Sequence, residues 1–170
     1  LVPDLDWNPP GLRGISDDDM QALLDTAEST LRGAIADMNI KATVIRKSRA
    51  VGIVQRADSG PSPLRRESLD EAVLRVQDAI RETGTHVPFC AFNGGNDVFV
   101  DIGNKRVGVA GLQTFINGGA EPQQCLHVGD QFLNTGNDFA ARSCCPTVWV
   151  TSPMETFYCV RRLLRVVNGI

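Results

Sequence analysis

Gln124-Cys125-Leu126-His127-Val128-Gly129-Asp130-Gln131-Phe132-Leu133-Asn134-Thr135-Gly136-Asn137-Asp138 is the stretch on which the reading of the fold turns. A short apolar run ends at Val128 and is followed at once by Gly129-Asp130. That pattern predicts a buried strand with a carboxylate at its carboxyl end. In open α/β sheets, ligands gather outside the carboxyl ends of the strands. Mg²⁺ takes hard oxygen ligands and keeps several waters, so an acid in that place is a usual ligand. A second acid, Asp138, follows eight residues on, at the start of a brief predicted helix over Phe139 to Arg142. It is placed to hold a metal-bound water or a neighbouring side chain. A generic Gly-Asp pair more often caps a loop, and an Asp before a helix more often caps that helix. The full spacing behind a buried strand favours the ligand reading.

Toward the carboxyl end, Thr147-Val148-Trp149-Val150 forms a second short β-rich run. Ser152-Pro153-Met154-Glu155 then opens a helix, with a capping Ser, Pro at the first helical position and Glu three residues after the cap. Strand, helix, strand, helix with short buried strands predicts a parallel sheet covered on both faces. Toward the amino end, Lys105 follows a Gly103-Asn104 break and opens a helix through Val107, Val109, Leu112, Phe115 and Ile116 that closes at Gly118-Gly119. A lone Lys is usually solvated. At the mouth of the same sheet it can neutralise a phosphate and an anionic nucleophile together, which matters because phosphoryl transfer rests on positioning and charge stabilisation.

The first hundred residues have a different character. Ser16 reads as an N-cap before Asp17-Asp18-Asp19, where negative charge meets the helix dipole. Met20, Leu23, Leu24, Ala27, Leu31, Ile35 and Met38 continue at helical spacing. Ile40 to Arg46 and Val51 to Val54 read as two strands joined by a basic turn, and Leu69, Ala72, Val73, Val76 and Ile80 mark a second amphipathic helix. Val87 to Phe92 and Asp97 to Ile102 flank a turn signal at Asn93-Gly94-Gly95-Asn96. Residues 1–15 are rich in Pro and Gly and read as an irregular lead-in. Residues 1–103 therefore read as α+β and residues 104–170 as α/β, with a boundary near Gly103.

Composition bounds the function. The chain has 170 residues, 42% apolar and 22% charged, enough for a real core. Its formal charge of −3 excludes a broadly basic nucleic-acid binder. No apolar run approaches the ~18 residues of a membrane span. Five cysteines without a C-x-x-C pair, three of them inside apolar runs, read as reduced thiols of an intracellular, cytoplasmic protein. The two histidines, His86 and His127, read as structural.

Gly129-Asp130…Asn137-Asp138 and Lys105 resemble the fourth and third motifs of haloacid-dehalogenase-type phosphohydrolases. Four longer stretches narrow the likeness. They are Arg46-Lys47-x-Arg49-Ala50-Val51-Gly52-Ile53-Val54, Pro88 to Gly95, Asp97-Val98-Phe99-Val100-Asp101-Ile102-Gly103-x-Lys105, and Leu126 to Leu133. They are similar to the IMP-specific 5′-nucleotidases of fungi and apicomplexan parasites. The resemblance covers nearly the whole chain. It implies a Rossmann-like core with an α+β cap, and Mg²⁺-dependent hydrolysis of inosine 5′-monophosphate through an aspartyl-phosphate. On that resemblance Asp130 is the Mg²⁺ ligand and Lys105 holds the phosphate and the nucleophile. Asn137 and Asp138 organise the groups around the metal, and Asp138 counts with Lys105 as catalytic. Asp97, Phe99 and Asp101 face the nucleoside, with an aromatic at 99 suited to stacking on a purine, where the family often carries Trp. By a looser analogy with phosphosugar enzymes, Arg46, Lys47 and Arg49 hold substrate phosphate or line a subunit contact. The resemblance also implies a homo-oligomer and raises ATP as an effector.

One departure stands against the family pattern. Its Asp-x-Asp nucleophile motif follows a buried strand, whereas Asp4-Leu5-Asp6 follows Pro3 and falls within the cap part of the likeness. A carboxylate nucleophile is required for the covalent route. The expectation is therefore a carboxyl-terminal portion comprising most of the cap and the second half of the core, inactive alone and associating with the missing amino-terminal half. Two alternatives stay open: a non-catalytic nucleotide-binding or assembly fragment, and a sugar-phosphate phosphatase or phosphomutase with a similar cap.

Overall fold

The computed structural model describes residues 10–60, 62–116 and 119–169; Asp4-Leu5-Asp6 and Gly118 lie outside the described residues. Helix α1 spans Asp17–Asp37, and the Ser16 hydroxyl oxygen accepts the Asp19 N–H at 3.0 Å. The acidic triplet thus serves a helix start, as its position predicts. One face of α1 carries Met20, Leu23, Leu24, Ala27 and Leu31, all buried, at spacings of three and four. Helix α2, Arg66–Glu82, buries Leu69, Ala72, Val73, Val76 and Ile80 in the same way. Both stripes close on one face of an antiparallel sheet whose strands are β1 (Ala42–Lys47), β2 (Ala50–Gln55), β3 (Phe89–Asn93) and β4 (Asp97–Ile102), ordered β1-β2-β4-β3.

Register divides the sheet's two faces. Val51 pairs with Val100 and Ile53 with Val98, and all four are buried against the helices. Because side chains alternate, the residues between them point away from the helices. This opposite face carries Lys47, Ala50, Asp101 and Cys90 in one row, and Ile45, Gly52, Phe99 and Phe92 in the next. Antiparallel sheets tolerate one covered and one open face, and both helices lie on the other side here.

After Ile102 the chain turns through Gly103 into helix α3, Lys105–Phe115, capped by Asn104, whose side-chain oxygen accepts the Val107 N–H at 3.1 Å. Strands β5 (His127–Gly129) and β6 (Thr147–Trp149) pair in parallel, and helix α4 spans Pro153–Val167. Its Ser152 cap accepts the Glu155 N–H at 3.3 Å, as the sequence predicts. The expected sheet covered on both faces is not what forms. The described part of this sheet has two three-residue strands, only partly buried, and α4 buries none of its side chains. Phe157, Tyr158, Leu164 and Val167 are all exposed. The reason is size: a three-residue strand is about 10 Å long, while a fifteen-residue helix is about 22 Å. Two such strands offer too little face to cover α4.

Hydrogen bonds join the first sheet to the loop after β5. The Asn93 N–H donates to the Thr135 carbonyl at 2.9 Å. The Gln77 side-chain amide on α2 donates to the Asn134 carbonyl at 2.9 Å and to the Ala91 carbonyl at 3.1 Å. Asn93, Gln77 and Thr135 are all buried.

This packing separates two leucines. Leu24 is fully buried and Leu164 is 54% exposed. Leu24→Ala is expected to cost about 3 kcal/mol, and Leu164→Ala in this chain less than about 0.5 kcal/mol, both read from the midpoint of equilibrium urea unfolding.

Candidate functional site

A carboxylate with no exposed surface stands at the centre of the site. Asp138 is fully buried, yet it sits where four donors converge. Its Oδ2 accepts the backbone N–H of Asp130 at 3.1 Å and of Gln131 at 2.9 Å. Its Oδ1 meets His127 Nε2 at 2.7 Å and the Lys105 ammonium. Burial alone pushes the carboxyl up; the Lys105 ammonium, the Gln131 N–H and the His127 ring outweigh it and hold it below the usual carboxylate range. The loop is shaped for this. A Cβ on Gly129 would fall within 2.6 Å of both Asp138 carboxylate oxygens, so only glycine lets β5 end against that group. The Asp138 N–H donates back to the Gln131 carbonyl at 2.9 Å, closing the loop on itself. Asp138 precedes a short 3-10 helix, Phe139–Ser143, without a side-chain bond to its N–H groups, so it is a hub and not a helix cap.

Lys105 is the first residue of α3, and its side chain keeps 40% of its surface exposed while its partner Asp138 has none. The ammonium is thus anchored on one side and open on the other, the arrangement of a cation that can meet an anionic ligand. It borders a cavity of about 370 Å³ with Cys90, Phe92, Asp101, Asn104 and Asn137.

Asp130 lies immediately beyond β5 and is exposed. Its backbone is fixed at both ends, the N–H by Asp138 and the carbonyl by the Trp149 indole N–H at 3.0 Å. It borders a cavity of about 330 Å³ with Asp70, Asn93, Gln131, Thr135 and Trp149. It also borders a second cavity, with Thr151 and Ser152 at the start of α4. Lys105 and Asp130 are therefore joined through Asp138 and open on different cavities. Among the described residues their side chains make no direct contact.

The loop that carries Asp130 offers oxygen donors that fit a hard cation. Gln131 Oε1 and Asn137 Oδ1 are buried with no hydrogen-bond partner; Gln131 borders the Asp130 cavity and Asn137 the Lys105 cavity. No group of three His, Cys, Asp or Glu is assembled among the described residues. One carboxylate with amide oxygens suits Mg²⁺, which completes its octahedron with water and phosphate oxygens, and argues against a soft-metal site.

On the open sheet face, Asp97, Phe99 and Asp101 of β4 share one side, as alternation requires. The Asp101 carboxyl is pushed up by burial, and the Lys47 charge opposes this. The Cys90 thiol is pushed up to about 11 by burial and by Asp101, with Lys105 opposing, which makes it an inert thiol. Arg46 departs from the expected substrate set. It pairs with buried Val51 and so faces the helices, where its guanidinium meets Asp25 at 2.9 Å and Glu28 at 3.2 Å on α1. It is a strut between sheet and helix, on the face opposite Phe99. Arg49 sits exposed in the β1–β2 turn.

Two contributors were not visible in the sequence. His127 read as structural, yet its ring holds Asp138; its position two residues before Gly129-Asp130, on the strand that aims the loop, is the signal that could have marked it. Gln77 stands among the apolar residues of α2, and a polar residue at such a position asks for a buried partner, here the loop carbonyl of Asn134.

Fold and site together define a mixed helix-and-sheet protein in which a Lys–Asp–His cluster beside two parallel strands adjoins an open aromatic sheet face. A family model described as IMP-specific 5′-nucleotidase matches residues 1–160, and the chain belongs to that family. The IMP-specific 5′-nucleotidase 1 of Schizosaccharomyces pombe is 50% identical over 151 residues, covering 88% of this chain and 36% of that protein. The Plasmodium falciparum protein of the same name is 34% identical over 173 residues, covering 97% of this chain and 38% of its own. Among solved structures, an N-terminally truncated, IMP-bound Plasmodium falciparum IMP-nucleotidase aligns with a TM-score of 0.87 at 35% identity, covering 96% of this chain and 42% of that one. An ATP-bound structure of the same protein aligns at 0.76 and 36% identity, covering 90% of this chain and 35% of that one. The chain thus spans well under half the length of these relatives.

Two outcomes test the hub. Gly129→Ala drives a methyl into the Asp138 carboxylate and is expected to cost at least about 2 kcal/mol of stability by thermal unfolding. The Asp138 carboxyl is depressed in the folded state, so its contribution is complete above about pH 4 and is lost as pH falls through the lower folded value. Asp138→Asn should cost about 3 kcal/mol at pH 7 and flatten that acid limb in urea titrations across pH.

Proposed function

We propose that the chain is most of the cap and the carboxyl-terminal half of the core of a Mg²⁺-dependent phosphohydrolase of the haloacid-dehalogenase type. Residues 1–103 belong to the carboxyl-terminal part of the α+β cap and residues 104–170 to the half-core. The reaction is hydrolysis of IMP to inosine and phosphate. The observation that carries this reading is the buried Asp138, which ties the Lys105 ammonium to the strand end bearing Asp130.

Each residue then has a task. Asp130 would hold the metal, which would supply charge neutralisation at the phosphoryl oxygens when bound, and Asn137 and Asp138 order the groups around it. Lys105 presents a fixed positive charge to the phosphate and to the nucleophile; its link to Asp138 sets its direction before substrate arrives, which avoids reorganisation during the reaction. Asp138 carries no substrate contact in this scheme and acts by positioning Lys105, His127 and the loop. Phe99 stacks on the purine, while Asp97 and Asp101 face the nucleoside from the same strand.

The nucleophile and its acid/base partner, passing through an aspartyl-phosphate, come from another segment of the longer protein. Apolar side chains on α4 and the short β5–β6 ribbon give that segment a surface to cover. The reading includes ATP as an effector, a homo-oligomer and a cytoplasmic setting. No helix among the described residues is long and apolar enough to cross a membrane.

Phosphate release by the full-length protein from IMP, AMP and mannose 6-phosphate tests the assignment. IMP is expected to be turned over far faster than the other two, with loss of activity on removal of Mg²⁺ by chelation. Lys105→Ala and Asp130→Asn should each lower kcat at least about a hundredfold. Wild-type turnover in either variant, or preference for the sugar phosphate, would sink the proposal.

A further inference from the structure

The open face of the first sheet holds a cation for which the reaction has no evident need. Lys47, the last residue of edge strand β1, folds its side chain over β2 so that Nζ stands 4.5 Å from the centroid of the Phe99 ring, a cation–π contact. Two small residues of β2 make this possible. Ala50 lies beside Lys47, between it and Asp101, and Gly52 lies directly opposite Phe99. A Cβ on Gly52 would come within 2.6 Å of the Phe99 ring, so the ring lies across the strand only because nothing projects there. The aromatic surface is widened by Phe92, which pairs with Phe99 on the other side.

Position argues against a phosphate role for Lys47. The phosphate end of the substrate belongs at Lys105, which borders its cavity with Asp101 and Phe92. Phe99 lies two residues further from Lys105 than Asp101 does, about 7 Å along β4. A nucleotide held by its phosphate at Lys105 therefore brings its base, not its phosphate, to the Phe99 ring, and stacking there moves the Lys47 ammonium from over the ring to the edge of the base.

We propose that Lys47 is a specificity-determining residue that reads the purine at C6. The inference rests on the IMP-hydrolase reading above. An ammonium donates hydrogen bonds and cannot accept them. A 6-oxopurine presents an acceptor oxygen at C6, whereas adenine presents a donor amino group there. Lys47 therefore favours hypoxanthine over adenine by satisfying the first and opposing the second.

The experiment is the ratio of kcat/KM for IMP over AMP in the full-length protein, for wild type, Lys47→Met and Lys47→Arg. Lys47→Met keeps the aliphatic stem over the ring and removes the donor; the ratio is expected to fall about tenfold or more, the scale of a charge-assisted hydrogen bond. Lys47→Arg restores a donor and should recover most of the ratio. An exposed residue with a merely structural role would shift both substrates together. If wild type prefers IMP and Lys47→Met leaves the ratio unchanged, or lowers both values equally as a phosphate contact would, the inference fails and the hydrolase reading stands. If wild type does not turn over IMP, both fail.

Discussion

A carboxylate buried in a protein must be answered by donors, and the answer given to Asp138 organises everything around it. Two backbone N–H groups, an imidazole and an ammonium converge on its two oxygens. An ionised carboxylate accepts about four hydrogen bonds, so the group is saturated without water. Each donor is thereby placed. The Asp130 and Gln131 amides set the turn after β5, His127 is held in the strand, and Lys105 is aimed from the first turn of α3. A buried ion pair is weak evidence of net stability, because desolvation offsets much of the attraction. Its better-attested use is to specify one arrangement, and here the arrangement is the relation between a half-exposed ammonium and a strand end bearing a second acid.

The site is also coupled to the first sheet. The loop from Gln131 to Asn137 bonds to Asn93 at the end of β3 and to Gln77 on α2, both buried. The two helices lie on one face of the antiparallel sheet and leave the other open. That open face continues through Asp101 and Phe92 into the cavity bordered by Lys105. The aromatic sheet face and the Lys105 ammonium thus sit on neighbouring surfaces held in one framework, the kind of fixed placement that positioning a ligand calls for.

Much of this was legible in the residues. Period 3.6 in α1 and α2 marks their buried faces, and the caps at Ser16, Asn104 and Ser152 lie where side-chain oxygens precede apolar runs. The eight-residue interval from Asp130 to Asp138 placed both acids on one loop, and the Gly-Asn break placed Lys105 at a helix start. What the sequence withheld depends on register and tertiary packing. Arg46 and Lys47 are neighbours of equal charge, yet a strand sends them to opposite faces: Arg46 to the acids of α1, Lys47 to the Phe99 ring. Only the pairing of Arg46 with Val51 tells which is which. His127 gives no periodic signal either, because its partner is eleven residues away and meets it through a turn.

The second sheet shows the same dependence on context at a larger scale. Short apolar runs at 126–128 and 147–150 read as strands of a covered parallel sheet, and the strands did form in parallel. Cover did not follow, because burial belongs to the whole layer and not to a strand's own composition. Three-residue strands pair over too small an area to hide a helix as apolar as α4, so Phe157 and Leu164 face outward. Isolated two-stranded ribbons are marginal in water. This one is held by its neighbours: the Val150 N–H bonds the Gly129 carbonyl, the Trp149 indole bonds Asp130, and Asp138 seals the turn. The polar hub thus stabilises what apolar packing alone leaves thin, and the geometry at Lys105 and Asp130 is as secure as the hydrogen bonds of one buried carboxylate.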